Sequence, residues 1–310
     1  AVETRETGKG EFYFALVDKT GGAVRDLLPE ILGQAMSALG WPKSMRWAAN
    51  SIRWVRPIKS IACLFGGAVV GVEFGPVTAS DVTTGHRFLS PGPITVTGFA
   101  DYKAKLEQAP VTLDSAERRA RIETVAARLA ERAGYRLKDD PALLDEVAGL
   151  VEWPVVLMGA IDDAFMDLPD EVLTTSMRKH QKYFAVVDER DVLAPHFIVV
   201  ANTAPSDGGK AVVAGNERVL RARLADAKFF WDHDLERLLD SRVEALAGRV
   251  FHAKLGTVLD KVSRIKALAA TLAEACGAAP DEAARAAQLA KADLSTGMVT
   301  EFPDLQGVMG

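Results

Sequence analysis

The most informative stretch of the sequence is Gly215-Asn216-Glu217-Arg218-Val219-Leu220-Arg221-Ala222-Arg223-Leu224-Ala225-Asp226-Ala227-Lys228-Phe229-Phe230. A small-residue turn here leads directly into alternating apolar and cationic positions. Asn216 is a favourable N-cap residue, which predicts a helix over residues 217–231. The apolar residues with helical spacing predict its packed face: Val219, Leu220, Leu224, Ala227 and Phe230.

The cations of this helix allow two interpretations. Arg218, Arg221 and Lys228 fall on other faces than the apolar stripe, and Arg223 falls on the flank between the stripe and solvent. The helix could hold an anion. It could also be a solvated amphipathic helix in which Glu217 and Arg221 form an i,i+4 ion pair. Periodicity alone favours this second interpretation, and other segments of the chain favour the first.

The first 210 or so residues predict a mixed α+β structure. Strands are expected at 12–17 and 60–65, and Gly66-Gly67 predicts a two-residue hairpin turn into 68–74. A long helix is expected over 115–133, opened by Asp114 and Glu117 and ended by Gly134. The further predictions are a helix at 141–150, a helix from about residue 169, strands at 155–158, 183–187 and 197–200, and a surface loop at 205–210.

From residue 215 onward the strand signals stop. Helices are expected at 255–272 and 281–289, with a capping box at Ser241 and Glu244. The predicted organisation is therefore a mixed module over 1–214, a connecting basic helix over 215–240 and the beginning of an all-helical domain over 241–310.

Composition is that of an ordinary globular chain, with 48% hydrophobic residues, 25% charged residues and a net charge of −5. A negative total argues against indiscriminate nucleic-acid binding but leaves room for a local basic face. No apolar run approaches the roughly 18 residues of a membrane span. Cys63 and Cys276 are far apart in the sequence, which favours free thiols and a cytoplasmic location.

No complete catalytic motif occurs in the sequence. There is neither a Gly-x-x-x-x-Gly-Lys-Ser/Thr phosphate loop nor a Gly-x-Ser-x-Gly elbow. A zinc site would require clustered cysteine and histidine, whereas these residues are scattered along the chain. We therefore predict no catalytic residue and no metal ligand.

A series of short motifs resembles the beta subunit of the bacterial-type, heterotetrameric glycyl-tRNA synthetase. The resemblance runs from about Ser51 to Gly310. It is carried by Thr84-Gly85-His86-Arg87-Phe88, Met177-Arg178-Lys179-His180-Gln181-Lys182-Tyr183-Phe184, Lys254-Leu255-Gly256, Lys291-Ala292-Asp293-Leu294 and Glu301-Phe302-Pro303-Asp304-Leu305-Gln306-Gly307. In that family a further segment comes first and a long part, including an anticodon-binding domain, follows. We therefore expect an internal fragment, an expectation that the apolar end Val308-Met309-Gly310 also favours.

The resemblance implies a fold and partners. It implies a B3/B4-like module in the mixed part and a partial HD-like module in the helical part. The partners would be the glycyl-tRNA synthetase alpha subunit and tRNA(Gly). The chain would bind neither DNA nor a membrane. ATP and Mg²⁺ would be used through the alpha subunit, so the fragment itself would bind no cofactor.

The resemblance also suggests which residues meet tRNA. The stronger candidates are Arg218, Arg221 and Arg223, because a planar guanidinium makes two hydrogen bonds to one phosphate. The weaker candidates are His86, Arg87, His180 and Lys254. For His86 a partly buried, hydrogen-bonded imidazole is an equally good interpretation. For His180 the spacing with Met177 and Phe184 would fit a core stripe.

Two alternatives to a tRNA-recognising subunit stay open. The segment 255–307 resembles the helical framework of HD metal-dependent phosphohydrolases, but Lys291 and Asp293 stand where that family has its His-Asp dipeptide. A lysine there would repel a cation, so we expect a vestigial site in which Asp293 pairs with Lys291 or caps a helix. His233-Asp234 is interpreted as a solvated acidic turn. The other alternative is a scaffold that binds only a partner subunit.

Overall fold

The computed structural model describes residues 2–17, 20–47 and 49–310. The chain forms two compact units, Ala1–Val111 and Thr112–Gly310. Both contain helices and strands, which confirms the predicted mixed α+β class at the level of the whole chain.

The first unit consists of short antiparallel strand pairs and two helices. The pairs are Val2–Thr7 with Gly10–Ala15, Met45–Arg46 with Arg53–Trp54, Leu64–Phe65 with Ala68–Val69, Glu73–Phe74 with Val77–Thr78, and Val82–Thr84 with Pro93–Thr95. The helices are Val24–Ala38 and Phe99–Gln108. A small core forms around Val70, Val72 and Ala79, against which one face of the first helix packs.

The hairpin predicted at Gly66-Gly67 is confirmed. Both glycines have positive φ, +59° and +78°, as a two-residue turn of this kind requires. Leu64 pairs with Val69 and Phe65 with Ala68. The strands are shorter than the predicted 60–74, because Glu73–Phe74 pairs with the following strand instead.

The second unit is organised around a four-stranded antiparallel sheet. Its strands lie in the order Arg136–Leu137, Phe184–Val187, Leu193–Ala201 and Val155–Ala160. The predicted strands at 155–158, 183–187 and 197–200 are therefore confirmed, with bounds shifted by a few residues.

Helices pack against both faces of this sheet, and two further helices lie in the C-terminal part of the unit. The α-helices are Ser115–Arg132, Pro141–Leu150, Asp170–Thr175, Lys210–Leu235, Val258–Ala275, Pro280–Leu289 and Gly297–Glu301. A π-helical turn spans Ser176–Gln181, and 3-10 turns span Asp163–Phe165, Leu239–Arg242, Glu244–Gly248, Ala292–Ser295 and Pro303–Leu305.

The predicted helix over 115–133 is confirmed nearly to the residue. The carboxylate of Asp114 accepts the backbone N–H of Ala116 at 2.8 Å, which caps the first turn. Ile122, Ala126 and Ala130 are buried, whereas Ala133 is exposed because the packed stripe ends at Ala130.

Side chains on the two faces of the sheet pack into two separate hydrophobic cores. Phe184, Val186 and Ile198 point to the Ser115–Arg132 and Pro141–Leu150 helices. Tyr183 and Phe197 point to the opposite face, where they stack with ring centroids 4.5 Å apart. This second core also holds the Lys210–Leu235 helix and the C-terminal turns, so the sheet fixes the position of that helix.

The expectation of an all-helical part after residue 241 is wrong in one place. Val250–His252 pairs with Gly256–Thr257 to form a small hairpin, so the helix predicted from residue 255 begins only at Val258. The capping box predicted at Ser241 does not form, since Ser241 Oγ donates to the carbonyl of Leu238. The box occurs instead at Thr257 and Asp260.

Two further expectations concern cysteines and membranes. Cys63 and Cys276 are both free thiols, as expected. Within the part of the chain that the structure describes, no helix is both long enough and apolar enough to cross a bilayer.

Candidate nucleic-acid interface

The helix that carries the arginines, called the basic helix below, spans Lys210–Leu235 and begins earlier than predicted. The carboxylate of Asp207 accepts the N–H groups of Gly209 and Ala211 at 2.9 and 2.8 Å. Asp207 thus supplies the cap that the sequence assigned to Asn216, and the prediction of Asn216 as N-cap is wrong. The predicted loop at 205–210 is confirmed as far as Gly209.

Asn216 instead fastens the basic helix to the sheet. Its Oδ1 accepts the hydroxyl of Tyr183 at 2.6 Å, and its Nδ2 donates to the carbonyl of Val212 at 2.7 Å. Burial raises the pKa of Tyr183 to about 12. The neutral hydroxyl therefore persists as a donor through the physiological range.

The predicted apolar stripe is confirmed for its central members. Leu220, Leu224 and Ala227 are fully buried, and Phe230 packs against the same core. Val219 is 44% exposed, so its assignment to the stripe is wrong. Packing of this face leaves the arginines on the flanks and outer side of the helix.

The three arginines differ in their surroundings. Arg221 Nε lies 3.1 Å from Asp162 Oδ2, and the side chain stays 60% exposed. The alternative pairing of Glu217 with Arg221 is wrong, because Glu217 Oε1 accepts the N–H of Ala160 at 2.9 Å. Over the described residues, neither Arg218 nor Arg223 makes an ion pair or a side-chain hydrogen bond. The sequence does not indicate that Asp162 is the partner of Arg221, since the two residues lie 59 positions apart.

The helix also separates the arginines in direction. At about 100° per residue, Arg218 and Arg221 lie about 60° apart, whereas Arg223 lies about 140° from Arg218 and about 160° from Arg221. Arg218 and Arg221 therefore share one side of the helix, and Arg223 belongs to the opposite flank. A single phosphate track laid along the helix would meet the first two but not the third.

Lys228 is neutralised within the fold. Its ammonium lies 2.9 Å from Asp167 and 2.8 Å from Asp232. Hydrogen bonds to Asp232 and then Asp167 raise the pKa of Lys228 above its usual value. One carboxylate of the same helix and one of a preceding turn therefore neutralise this cation.

The basic segment 178–182 is likewise largely paired. Arg178 makes two contacts to Asp140, from Nε at 2.5 Å and from Nη2 at 3.1 Å. The hydrogen bond from Arg178 holds the pKa of Asp140 below its usual value. A cavity of about 200 Å³ lies beside this pair, lined also by Lys138 and Thr174.

His180 lies on the surface of the π-helical turn, with its ring edge-on to Phe302 at 6.2 Å. Met177 and Phe184 are buried, but the π turn and the left-handed Lys182 break the regular spacing between them. The core-stripe interpretation of His180 is therefore wrong. Its neighbours Lys179 and Lys182 pair with Asp304 and Glu146.

His86 and Arg87, in the first unit, differ in their exposure to solvent. The imidazole of His86 is fully buried, and its Nδ1 accepts the N–H groups of Phe88 and Leu89 at 3.3 and 3.2 Å. The structural interpretation of His86 is thus the one that the geometry favours. Arg87 is exposed and lies 5.9 Å from the ring of Phe88.

The position resembling an HD metal site does not fit a metal. Asp293 is buried, with Oδ2 accepting the N–H of Gly307 at 2.5 Å and Oδ1 lacking a partner among the described residues. The expected pairing with Lys291 is wrong. Among those same residues no three His, Cys, Asp or Glu side chains lie close enough together to hold an ion, so the donor set is inadequate.

Asp234 is not part of a solvated turn, and that interpretation is wrong. Its Oδ1 lies 2.9 Å from Arg242 Nη2, with both side chains nearly buried at 12% and 10% exposure. Its oxygens also accept the N–H groups of Gly297 and Met298 at 3.0 and 2.8 Å. Asp234 thereby joins the end of the basic helix to the C-terminal turns, whereas His233 stays exposed beside Glu236.

Comparison with known proteins shows the family of the chain. A family model described as the glycyl-tRNA synthetase beta subunit matches residues 1–310. Three relatives carry the name glycine–tRNA ligase beta subunit. They come from Rhodospirillum centenum (54% identical, covering 99% of this chain and 47% of the relative), Dinoroseobacter shibae (50%, 100% and 44%) and Paracoccus denitrificans (47%, 100% and 46%).

These matches define the class as an aminoacyl-tRNA synthetase subunit. The chain belongs to the glycyl-tRNA synthetase beta subunit family, since the match extends over all of its residues. It spans just under half the length of the curated relatives that it matches.

Proposed function

We propose that the protein to which this chain belongs is the non-catalytic, tRNA-recognising beta subunit of glycine–tRNA ligase. The observation that carries the proposal is the family match over residues 1–310. In this role it supports ATP-dependent attachment of glycine to tRNA(Gly) by the alpha subunit. Its partners are the alpha subunit and tRNA(Gly), in the cytoplasm, without DNA or a membrane.

In this proposal the alpha subunit binds ATP and Mg²⁺, and this chain binds neither. Its mixed part corresponds to a B3/B4-like module and its helical part to a partial, HD-like module without metal chemistry. The poor donor set around Asp293 supports the latter assignment.

Within the basic helix, Arg218 and Arg221 act together on the tRNA backbone. They share one side of the helix, and Arg218 has no competing carboxylate among the described residues. Arg221 exchanges its exposed partner Asp162 for a phosphate, which costs little because exposed ion pairs are weak. Arg223 serves a different stretch of the RNA. Arg87, His180 and Lys254 are exposed and secondary, and buried His86 is left out.

Reconstitution tests the proposal. The full-length protein is purified with and without its alpha subunit, and glycine-dependent pyrophosphate exchange and glycyl-tRNA formation are measured. We expect exchange only when the alpha subunit is present and tRNA charging only when both are present. Exchange by the beta protein alone would overturn the assignment.

Binding measurements separate the proposal from a pure scaffold. A tRNA-recognising subunit binds tRNA(Gly) with an affinity that falls as salt rises, because phosphate contacts release counterions. A scaffold would retain the alpha subunit yet leave the tRNA affinity of the complex independent of this chain's arginines.

A further inference from the structure

A second cationic surface lies away from the basic helix, on the hairpin formed by Val250–His252 and Gly256–Thr257, called the 250–257 hairpin below. Its turn is closed by a hydrogen bond from Leu255 N to the carbonyl of His252 at 2.9 Å. Residues 249–257 contain Arg249 and Lys254 and no carboxylate. The hairpin therefore presents positive charge without internal neutralisation.

The hairpin is fixed rigidly to the helix that follows it. Gly256 has φ +83°, and a Cβ there would collide with Oδ2 of Asp260, so only glycine fits. The carboxylate of Asp260 accepts both the N–H and the hydroxyl of Thr257, at 2.8 and 2.9 Å. The first acidic residue after the hairpin in the sequence is thus occupied in the helix cap of Val258–Ala275.

The hairpin carries a solvent-exposed aromatic ring. Phe251 is 43% exposed, and the ammonium of Lys261 lies 4.1 Å from its ring centroid. A cation over one face of a ring stabilises it through the ring quadrupole. The remaining 43% exposure of Phe251 is the surface on which a second flat group would stack.

A lysine stands at the tip of the same hairpin. Lys254 is exposed, and its backbone N–H donates to Nδ1 of His252 at 3.1 Å, which fixes the turn. Its side chain makes no ion pair or hydrogen bond with any described residue. Phe251 and Lys254 on the hairpin, together with Lys261 on the helix that follows, therefore combine an exposed ring with two cations.

We propose that the 250–257 hairpin binds an unpaired stretch of tRNA, with a base stacked on Phe251 and the backbone phosphates met by Lys254 and Lys261. This inference rests on the proposed function, because it takes tRNA as the ligand. A single-stranded segment fits better than a duplex, since stacking on a side chain needs an unstacked base. The excess of cations over carboxylates favours a nucleic acid over a protein segment.

The test uses the intact complex of full-length beta protein and alpha subunit, with a tRNA(Gly) transcript as the probe and affinity measured at several salt concentrations. Phe251→Leu is expected to weaken binding by about five- to one-hundred-fold with an unchanged salt slope. Lys254→Gln should lower that slope by about 0.7. Phe251→Trp preserves a stacking surface and should bind like the wild type.

Matched controls lie on the adjacent helix. Leu268→Ala alters another exposed apolar residue, and Lys266→Gln removes a lysine from a different face, so both should bind tRNA normally. Normal binding by Phe251→Leu and Lys254→Gln would overturn the inference while leaving the proposed function intact. Loss of alpha-subunit association in place of tRNA affinity would also overturn it. Failure of the wild-type complex to bind tRNA would refute the proposed function itself.

Discussion

The hydroxyl of Tyr183 donates a 2.6 Å hydrogen bond to Oδ1 of Asn216. This bond joins the residue that precedes a sheet strand to the second turn of the basic helix, and Tyr183 is buried while Asn216 is half-buried. It fixes the rotation of the helix on the sheet. That rotation in turn decides which sides Arg218, Arg221 and Arg223 occupy.

Tyr183→Phe should reduce the free energy of unfolding by about 1–3 kcal/mol, because Asn216 Oδ1 loses its partner in a poorly solvated site. Urea denaturation measures this loss, and Tyr13→Phe, an 83% exposed tyrosine, is the control. The folded-state pKa of about 12 exceeds the ordinary value of 10.0. Wild-type stability should therefore be full below pH 10 and fall as pH rises towards 12, a fall that the variant lacks.

Arg242→Met should destabilise the second unit by about 3–5 kcal/mol, because it leaves the nearly buried carboxylate of Asp234 without its cation. Arg285→Met removes the partner of Asp240 on the surface and should change stability little. Thermal and urea unfolding of both variants provide the comparison. Equal losses of unfolding free energy in the two variants would mean that burial of the Arg242–Asp234 pair does not contribute to stability.

Arg178→Gln should reduce the acid sensitivity of the fold. The hydrogen bond from Arg178 holds the folded-state pKa of Asp140 below 3.8, so the stability that it confers is present above that pH and lost as pH falls further. The variant should start less stable at neutral pH and lose less on acidification. Urea midpoints at neutral pH and below pH 3.8 measure the difference, with exposed Arg128→Gln as the control.

Arg218→Ala and Arg221→Ala should each weaken tRNA binding by the intact complex while pyrophosphate exchange is retained. Each should lower the salt slope by roughly 0.7 to 0.9 for every phosphate that is no longer neutralised. Arg223→Ala should show the same slope change, and its effect should add to theirs because it acts from the opposite flank. Arg128→Ala again serves as the control. A destabilised protein with an unaltered slope would make these arginines structural.

Elemental analysis should find no stoichiometric divalent metal in the purified protein, because among the described residues no cluster of three ligating side chains accompanies Asp293. Nearly one equivalent of manganese, iron or zinc that disappears in Asp293→Ala would instead restore the phosphohydrolase alternative. Asp304→Ala, which removes an exposed carboxylate, controls for nonspecific binding.

Sequence patterns located most elements of the second unit. Asp114 and Gly134 bracket a regular apolar stripe, so that helix was predictable from signals within the segment itself. The start of the basic helix was not predictable from the sequence, because Asn216 is as good an N-cap as Asp207 by residue type. The tertiary structure distinguishes them, because the Asn216 side chain is hydrogen-bonded to the buried Tyr183.

The candidate site was predictable only in part, because residue type does not reveal a side chain's partners. Periodicity separated the arginines from the packed stripe of the basic helix. It could not show that Arg221 pairs with Asp162 or that His86 is buried. Those outcomes depend on residues brought together by the sheet and its connections.

By itself the sequence determined the local elements, the apolar stripe of the basic helix and the family, because each is encoded in short-range spacing or in motifs that survive in order. The tertiary structure alone decided which cations stay available. Arg242 turns inward to Asp234, Lys228 is neutralised by Asp167, and Arg218 stays open among the described residues. Charge is a property of a residue type, whereas its neutralisation depends on what folding places within about 4 Å.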